Sequence, residues 1–178
     1  MIEPTEPIAP SFSSQAAARW AKTLLLASVA LFFTLVVFNN ITDFQSNFQF
    51  VRHVLRMDST FPANRGLWRA SDALWIHYAF YFSIIGWEAL NMALCWAAAI
   101  MLLGARRAPP AVFIHAKRIG ILALTSGLLL WLVAFLSVGG EWFLMWQSKA
   151  WNGQDAAFRM FTVEALILVL VLMPEPEA

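Results

Sequence analysis

One apolar stretch, Ala73 to Leu103, runs for 31 residues with a single charged group, Glu88, near its midpoint. As a helix rising about 1.5 Å per residue it would be roughly 46 Å long, ample for a hydrocarbon core of about 30 Å. A soluble domain has no use for such a helix. A bilayer does, and there Glu88 would lie near the centre, where an ionisable group costs about 3 kcal/mol on insertion scales and is expected to face a bundle interior or a cavity. Composition agrees: 60% of the 178 residues are apolar and 13% charged, against about 45–50% and 25% in an average soluble domain. Nine Trp and fifteen Phe fit a chain with aromatic belts at two interfaces. The lone cysteine, Cys95, falls inside the apolar run, so an intrachain disulfide is excluded.

Hydropathy divides the chain into four expected spans, about Trp20 to Phe38, Ala73 to Leu103, Ile119 to Val138 and Ala156 to Met173. The fourth is the weakest, because Arg159 and Glu164 interrupt it and Pro174 stops it, yet Ala165 to Met173 is continuously apolar. Ser28-Val29-Ala30 has the small-x-small form of a leader cleavage site. The apolar run continues past it to Phe38, however, and acidic Glu3 and Glu6 precede it, so the segment is read as a retained anchor. The expected fold is an all-α, single-domain integral membrane four-helix bundle, with a short interfacial helix in its first outer loop.

An even number of spans puts both termini on one side. Lys and Arg divide six and six, with Arg19, Lys22, Arg106, Arg107, Lys117 and Arg118 on the terminal side and Arg52, Arg56, Arg65, Arg69, Lys149 and Arg159 opposite. Four of the first six crowd the connection from Gly104 to Arg118, and short loops weigh most in the positive-inside rule. Both termini are therefore expected in the cytoplasm of a bacterial inner membrane. Trp68, Trp75, Trp142, Trp146 and Trp151 then gather near the outer face.

The first outer loop contains FQSNFQFVRHVLRM, residues 44–57. At 100° per residue Gln45, Gln49, Arg52 and Arg56 share one face, while Phe44, Phe48, Val51 and Leu55 lie away from it, which describes an amphipathic helix too short to span. The segment from Asp58 to Pro62 ends it, and a short turn or helix about Leu67 to Ala70 leads into the second span. The second outer loop reads GGEWFLMWQSKAWNGQD. Gly139-Gly140 permit a helix break, Trp142 and Trp146 at i and i+4 share a face, and Trp151-Asn152-Gly153 is read as a tight turn. Trp142, Trp146, Trp151 and Glu141, with Arg52 and Arg56, are the candidate contacts to a partner or lipid; ordinary interfacial anchoring, or a solvated linker wetted by its arginines, is the plainer alternative.

Chemistry-bearing groups also line the second span. Counted from Glu88, His77, Tyr81 and Cys95 all lie within about 20° and Asn91 about 60° away. Glu164 lies nine residues beyond Asp155, about 13 Å at helical rise, and is expected at a depth similar to that of Glu88. Thr34, Thr125 and Ser126 are available as hydrogen-bonding neighbours, and Ala123-x-x-x-Gly127 and Ala30-x-x-x-Thr34 allow close helix approach. Three readings compete for the stripe. Polar residues lock the bundle register, or carboxyls carry protons or cations, or His53 and His77 ligate a metal or a haem b iron on the outer side. The main reading needs no cofactor. There is no GxSxG, HExxH, CxxC, Walker-type or GxGxxG signature, so no enzyme is expected. Basic residues flanking a span are ordinary topology signals or contacts to anionic lipid, so nucleic acid is excluded as a partner.

The stretches NNITDFQSNFQFVRHVLRMDSTFP (residues 39–62), LWRA (67–70), WEAL (87–90) and GGEWFLMWQSKAWNGQDAAFR (139–159) resemble an uncharacterised bacterial family of predicted small integral membrane proteins, domain of unknown function 2165. The resemblance covers most of the chain, with GGEWF, MWQS and WNGQ in order and at fitting spacing, and departs only in a free N-terminal tail. It implies a four-span inner-membrane protein. The resembling residues include His53, Asp58, His77, Glu88 and Glu141, with no role attached to them. The expected function is a non-catalytic accessory or interaction subunit, associating with other membrane subunits or with itself. Proton, cation or redox-coupled work through Glu88, Glu164, His53 and His77 is the alternative.

Overall fold

The structure, a computed structural model, describes residues 14–175. Glu3 and Glu6, which the retained-anchor reading used, lie outside the described residues. Five α-helices follow in order: α1 (Ser14–Thr42), α2 (Phe44–Arg56), α3 (Leu74–Ala105), α4 (Pro110–Leu129) and α5 (Gln154–Leu172). Single 3₁₀ turns stand at Leu67–Arg69 and Met145–Gln147, and no strand occurs among the described residues. Three helical segments are long and apolar enough to cross a membrane: Ser14–Thr42, Leu74–Ala105 and Pro110–Trp142.

The long helices outrun the hydropathy windows at several ends. α1 reaches Thr42 rather than Phe38, so Asn40 is helical and buried instead of opening a loop. Pro110, at the first position of α4, needs no amide partner there and starts the helix nine residues before the apolar window. The expected break at Gly139-Gly140 does not occur. Beyond Leu129 the helix continues in the wider π form through Leu130–Trp142, in which amides reach back five residues; at its end Phe143 N–H donates to the Val138 carbonyl at 3.0 Å. Neither glycine has a positive φ. They serve close approach instead, because a Cβ on Gly140 would stand 2.5 Å from Gln154 Nε2 and 3.3 Å from the Phe135 carbonyl oxygen.

Helix α1 packs on α3, α3 on α4, α4 and its π extension on α5, and α5 on α1. Leu26, Ala30, Phe33, Cys95, Ala98, Ala123, Leu124, Leu130, Trp131 and Val171 form the shared core. Small residues sit where backbones approach, as Ala30 and Ala123 do at full burial. The outward faces stay apolar as well: Leu31, Leu35 and Phe38 on α1, Leu90 and Ile100 on α3, Leu122 on α4, and Leu166, Val169 and Leu172 on α5 are all exposed. Apolar side chains both inside and outside are what a lipid solvent permits.

Helix α2 forms where the amphipathic pattern placed it and stops at Met57, whose left-handed φ of 52° reverses the chain. Its apolar face docks on α3, with Phe48 stacked on Tyr78 at 4.5 Å and Phe44 edge-on to Tyr81 at 4.9 Å. Ser71 N–H donates to the Leu55 carbonyl at 2.9 Å, closing the loop back onto α2.

Candidate functional site

The polar stripe of α3 is buried along its length: His77, Tyr81, Glu88, Asn91 and Cys95 are all shielded. Its centre is a three-residue tie to the last turn of α1. Asn40 Nδ2 donates to Glu88 Oε2 at 2.6 Å, and the Tyr81 hydroxyl donates to the Asn40 carbonyl oxygen at 3.0 Å. A helix leaves its last carbonyls without intrahelical partners, so Tyr81 satisfies a group of α1 while Asn40 satisfies a group of α3. The hydrogen bond engages Oε2 only, and Glu88 lines a cavity of about 100 Å³ with Asn47, Phe50, Val51, Tyr81, Ile84 and Phe135. This cavity lies under α2.

Glu164 has partners of its own. It is fully buried, accepts Trp131 Nε1–H at 2.8 Å, presses Oε2 into the space left by Gly127, and lies within electrostatic reach of Cys95. The two carboxyls have separate neutral partners. Glu164 Oε2 and both polar atoms of the Asn91 side chain have no hydrogen-bond partner among the described residues.

The histidines are held apart by different partners. His77 Nε2–H donates to the Ser71 carbonyl at 2.8 Å, which fixes that nitrogen as the donor, while buried Nδ1 has no partner. His53 meets Asp58 through Nδ1 at 2.9 Å and stacks on Trp151 at 4.4 Å with the rings within 9° of parallel. Among the described residues no three His, Cys, Asp or Glu side chains form a metal-ligating group.

That stack is one of several ties that join the loop after α2 and the loop before α5 into a single cap. Ser59 and Ser148 hydroxyls hydrogen-bond at 2.7 Å, Phe61 N–H donates to Gln147 Oε1 at 3.1 Å, and Phe61 meets Trp146 edge to face. Trp142 pairs with Trp68 instead, with Arg69 over both indoles and reaching the Glu141 carbonyl at 3.5 Å. Trp142 and Trp146 thus do not share a helix face, because the helix ends at Trp142 and Leu144 turns left-handed at φ 54°. Arg56 pairs with Asp72 at 2.8 Å, Arg52 is half-buried, and the Glu141 side chain is exposed. Trp68 and Trp75 remain 75% and 73% exposed on this face.

Asn40 and Trp131 were missed from sequence. Asn39-Asn40 reads as a span boundary until α1 is seen to run through it, and Trp131 reads as one more apolar residue until its N–H is matched to Glu164. Ser126 and Thr34 do act as expected, each accepting an indole N–H, from Trp87 at 2.9 Å and from Trp96 at 3.0 Å. No curated protein and no solved structure matches the chain. The model of the family described as predicted small integral membrane protein (DUF2165) matches residues 18–174, and the chain belongs to that family.

Proposed function

We propose that this protein is a four-span, non-catalytic subunit of the bacterial inner membrane, with both termini in the cytoplasm and the outer cap as its contact surface for another membrane protein or a second copy. The fourth span is α5. Its charges fit a membrane helix once packing is known, since Asp155 and Arg159 lie exposed in the first two turns, where a long side chain reaches the interface, and Glu164 faces inward. α2 would lie along the outer interface with Gln45, Gln49, Arg52 and Arg56 toward water. The observation that carries the proposal is the cap itself: two loops pinned together by paired side chains, with Trp68 and Trp75 left exposed. A solvated linker needs no such order, whereas rigid aromatic groups beside arginine are what binding sites use.

The stripe fits the structural role. Glu88 and Glu164 are each engaged by a neutral donor on another helix. Native mass spectrometry from mild detergent tests the proposal. A complex or oligomer of fixed stoichiometry is expected, lost when Trp68→Ala and Trp146→Ala are combined; a monomer under all conditions, or a complex indifferent to both changes, contradicts it. A second reading, passage of protons or cations past Glu88, rests on the cavity that Glu88 lines. For that reading Glu88→Gln must abolish flux in proteoliposomes, and unchanged flux removes Glu88 from any pathway.

A further inference from the structure

At the end of the bundle opposite the cap, four charged side chains from three segments are buried together. Arg19 and Lys22 come from α1, Lys117 from α4, and Glu175 follows α5; their side chains are only 3–6% exposed. Among the described residues, Glu175 is the sole carboxylate paired with the three cations. Lys22 Nζ meets its Oε1 at 2.7 Å and Lys117 Nζ meets the same atom at 3.1 Å, while Arg19 Nε stands 3.7 Å from Oε2. Both lysines also donate to the Met173 carbonyl, at 2.9 and 3.0 Å. Among the described residues, three positive charges thus meet one negative.

The arginine is incompletely used. Its Nη1 caps the end of α3 through the Arg106 and Ala108 carbonyls at 3.1 and 2.7 Å, and the guanidinium lies over the Phe113 ring. Nε and Nη2 are buried with no hydrogen-bond partner among the described residues, and so is Glu175 Oε2. Buried guanidinium donors left empty are costly. A planar fork of this kind matches an oxyanion with two oxygens.

A cavity of about 230 Å³ opens beside the cluster, between α1 and the end of α5. Lys22 lies on its wall, and the remaining lining is Ala18, Ala21, Leu25, Leu170, Met173 and Pro174. The small side chains of Ala18 and Ala21, three residues apart on α1, leave room for a slender apolar group. Positive charge at one end of an apolar slot in a membrane helix bundle describes one chemical class of ligand.

We propose that this site binds an anionic phospholipid of the leaflet on the terminal side, its phosphate oxygens taken by Arg19, Lys22 and Lys117 and an acyl chain laid in the slot between α1 and α5. Glu175 occupies the anion position as a tethered competitor. Binding exchanges one carboxylate for a phosphate that fills the unused guanidinium donors, and it releases the segment after Leu172 from the bundle. This site is independent of the outer cap, so its failure and that of the proposed function are read separately.

The experiment is native mass spectrometry of the full chain released from nanodiscs of equimolar phosphatidylglycerol and phosphatidylcholine. The wild type should retain phosphatidylglycerol selectively. Arg19→Gln or Lys117→Gln should each lower that preference about five-fold, the weight of one basic residue near a lipid surface. Glu175→Gln should raise it by a similar factor, whereas exposed Arg107→Gln on the same side should leave it unchanged. The rise is the decisive arm, since a cluster serving only to hold α5 would lose stability on Glu175→Gln with no gain in lipid. No lipid preference in the wild type, no rise with Glu175→Gln, or retention of added inorganic phosphate without lipid selectivity would each overturn the proposal.

Discussion

Two glycines separate close packing from mere permissiveness at the residue scale. The side-chain position of Gly127 is filled by the Glu164 carboxyl, whereas a Cβ on Gly86 meets nothing within 4 Å. Gly127→Ala must displace Glu164 from a site where it also accepts the Trp131 indole N–H. It should cost about 1–3 kcal/mol, as overpacking a tight core does. Gly86→Ala in the α3 interior should be neutral or stabilising by up to about 1 kcal/mol from helix propensity. Thermal unfolding in detergent measures both; equal midpoints for the two variants would contradict the close fit of α5 on α4. The pair also marks how far the sequence can be read at this scale. The 3.6-residue period correctly grouped His77, Tyr81, Glu88, Asn91 and Cys95 on one buried face. It said nothing of Asn40 or Trp131, because which donor meets which carboxyl depends on the relative height of two helices, and periodicity within one helix carries no such information.

Among the elements, α2 and α5 were read by opposite routes. α2 followed from alternation of Phe and Arg faces alone, and the structure places Phe48 and Leu55 inward as that pattern requires. Hydropathy gives α5 only as the weakest span because its three charges are counted alike, although packing separates two exposed ones near its start from one buried beside Trp131. The π-helical continuation of α4 had no signal at all: Gly139-Gly140 suggests a break, and only contact with Gln154 and Met145 shows that the glycines admit neighbours instead. The end of α5 makes its own prediction. Burial alone would push the Glu175 carboxyl up, but its hydrogen bonds to Lys22 and Lys117 and their charges outweigh it and hold the group below the usual carboxylate range. A depressed folded value means that the contribution of Glu175 is present above the ordinary carboxyl range and lost as pH falls through the lowered value. The stability gap between wild type and Glu175→Gln should therefore close on acidification. A gap constant from neutral pH down through that range would show that the carboxylate charge is not what ties α5 to α1 and α4.

For the whole molecule, the organisation is polar by position: a cap of paired aromatics at one end, a buried cation cluster at the other, and between them carboxyls held singly by neutral donors. All of it depends on α5 crossing the membrane beside α1 and α4, because only then do the cap and the cation cluster face opposite sides. Single cysteines in a Cys95→Ala background decide this, placed at Asn64 and Lys149 in the two outer loops, at Arg107 between α3 and α4, and in a tag after the C-terminus. Labelling of intact cells with a membrane-impermeant maleimide should modify Asn64→Cys and Lys149→Cys and spare both Arg107→Cys and the tag until the membrane is opened. Labelling of the tag together with Lys149→Cys, while Arg107→Cys stays protected, would put both ends of α5 on one side and contradict the four-span account.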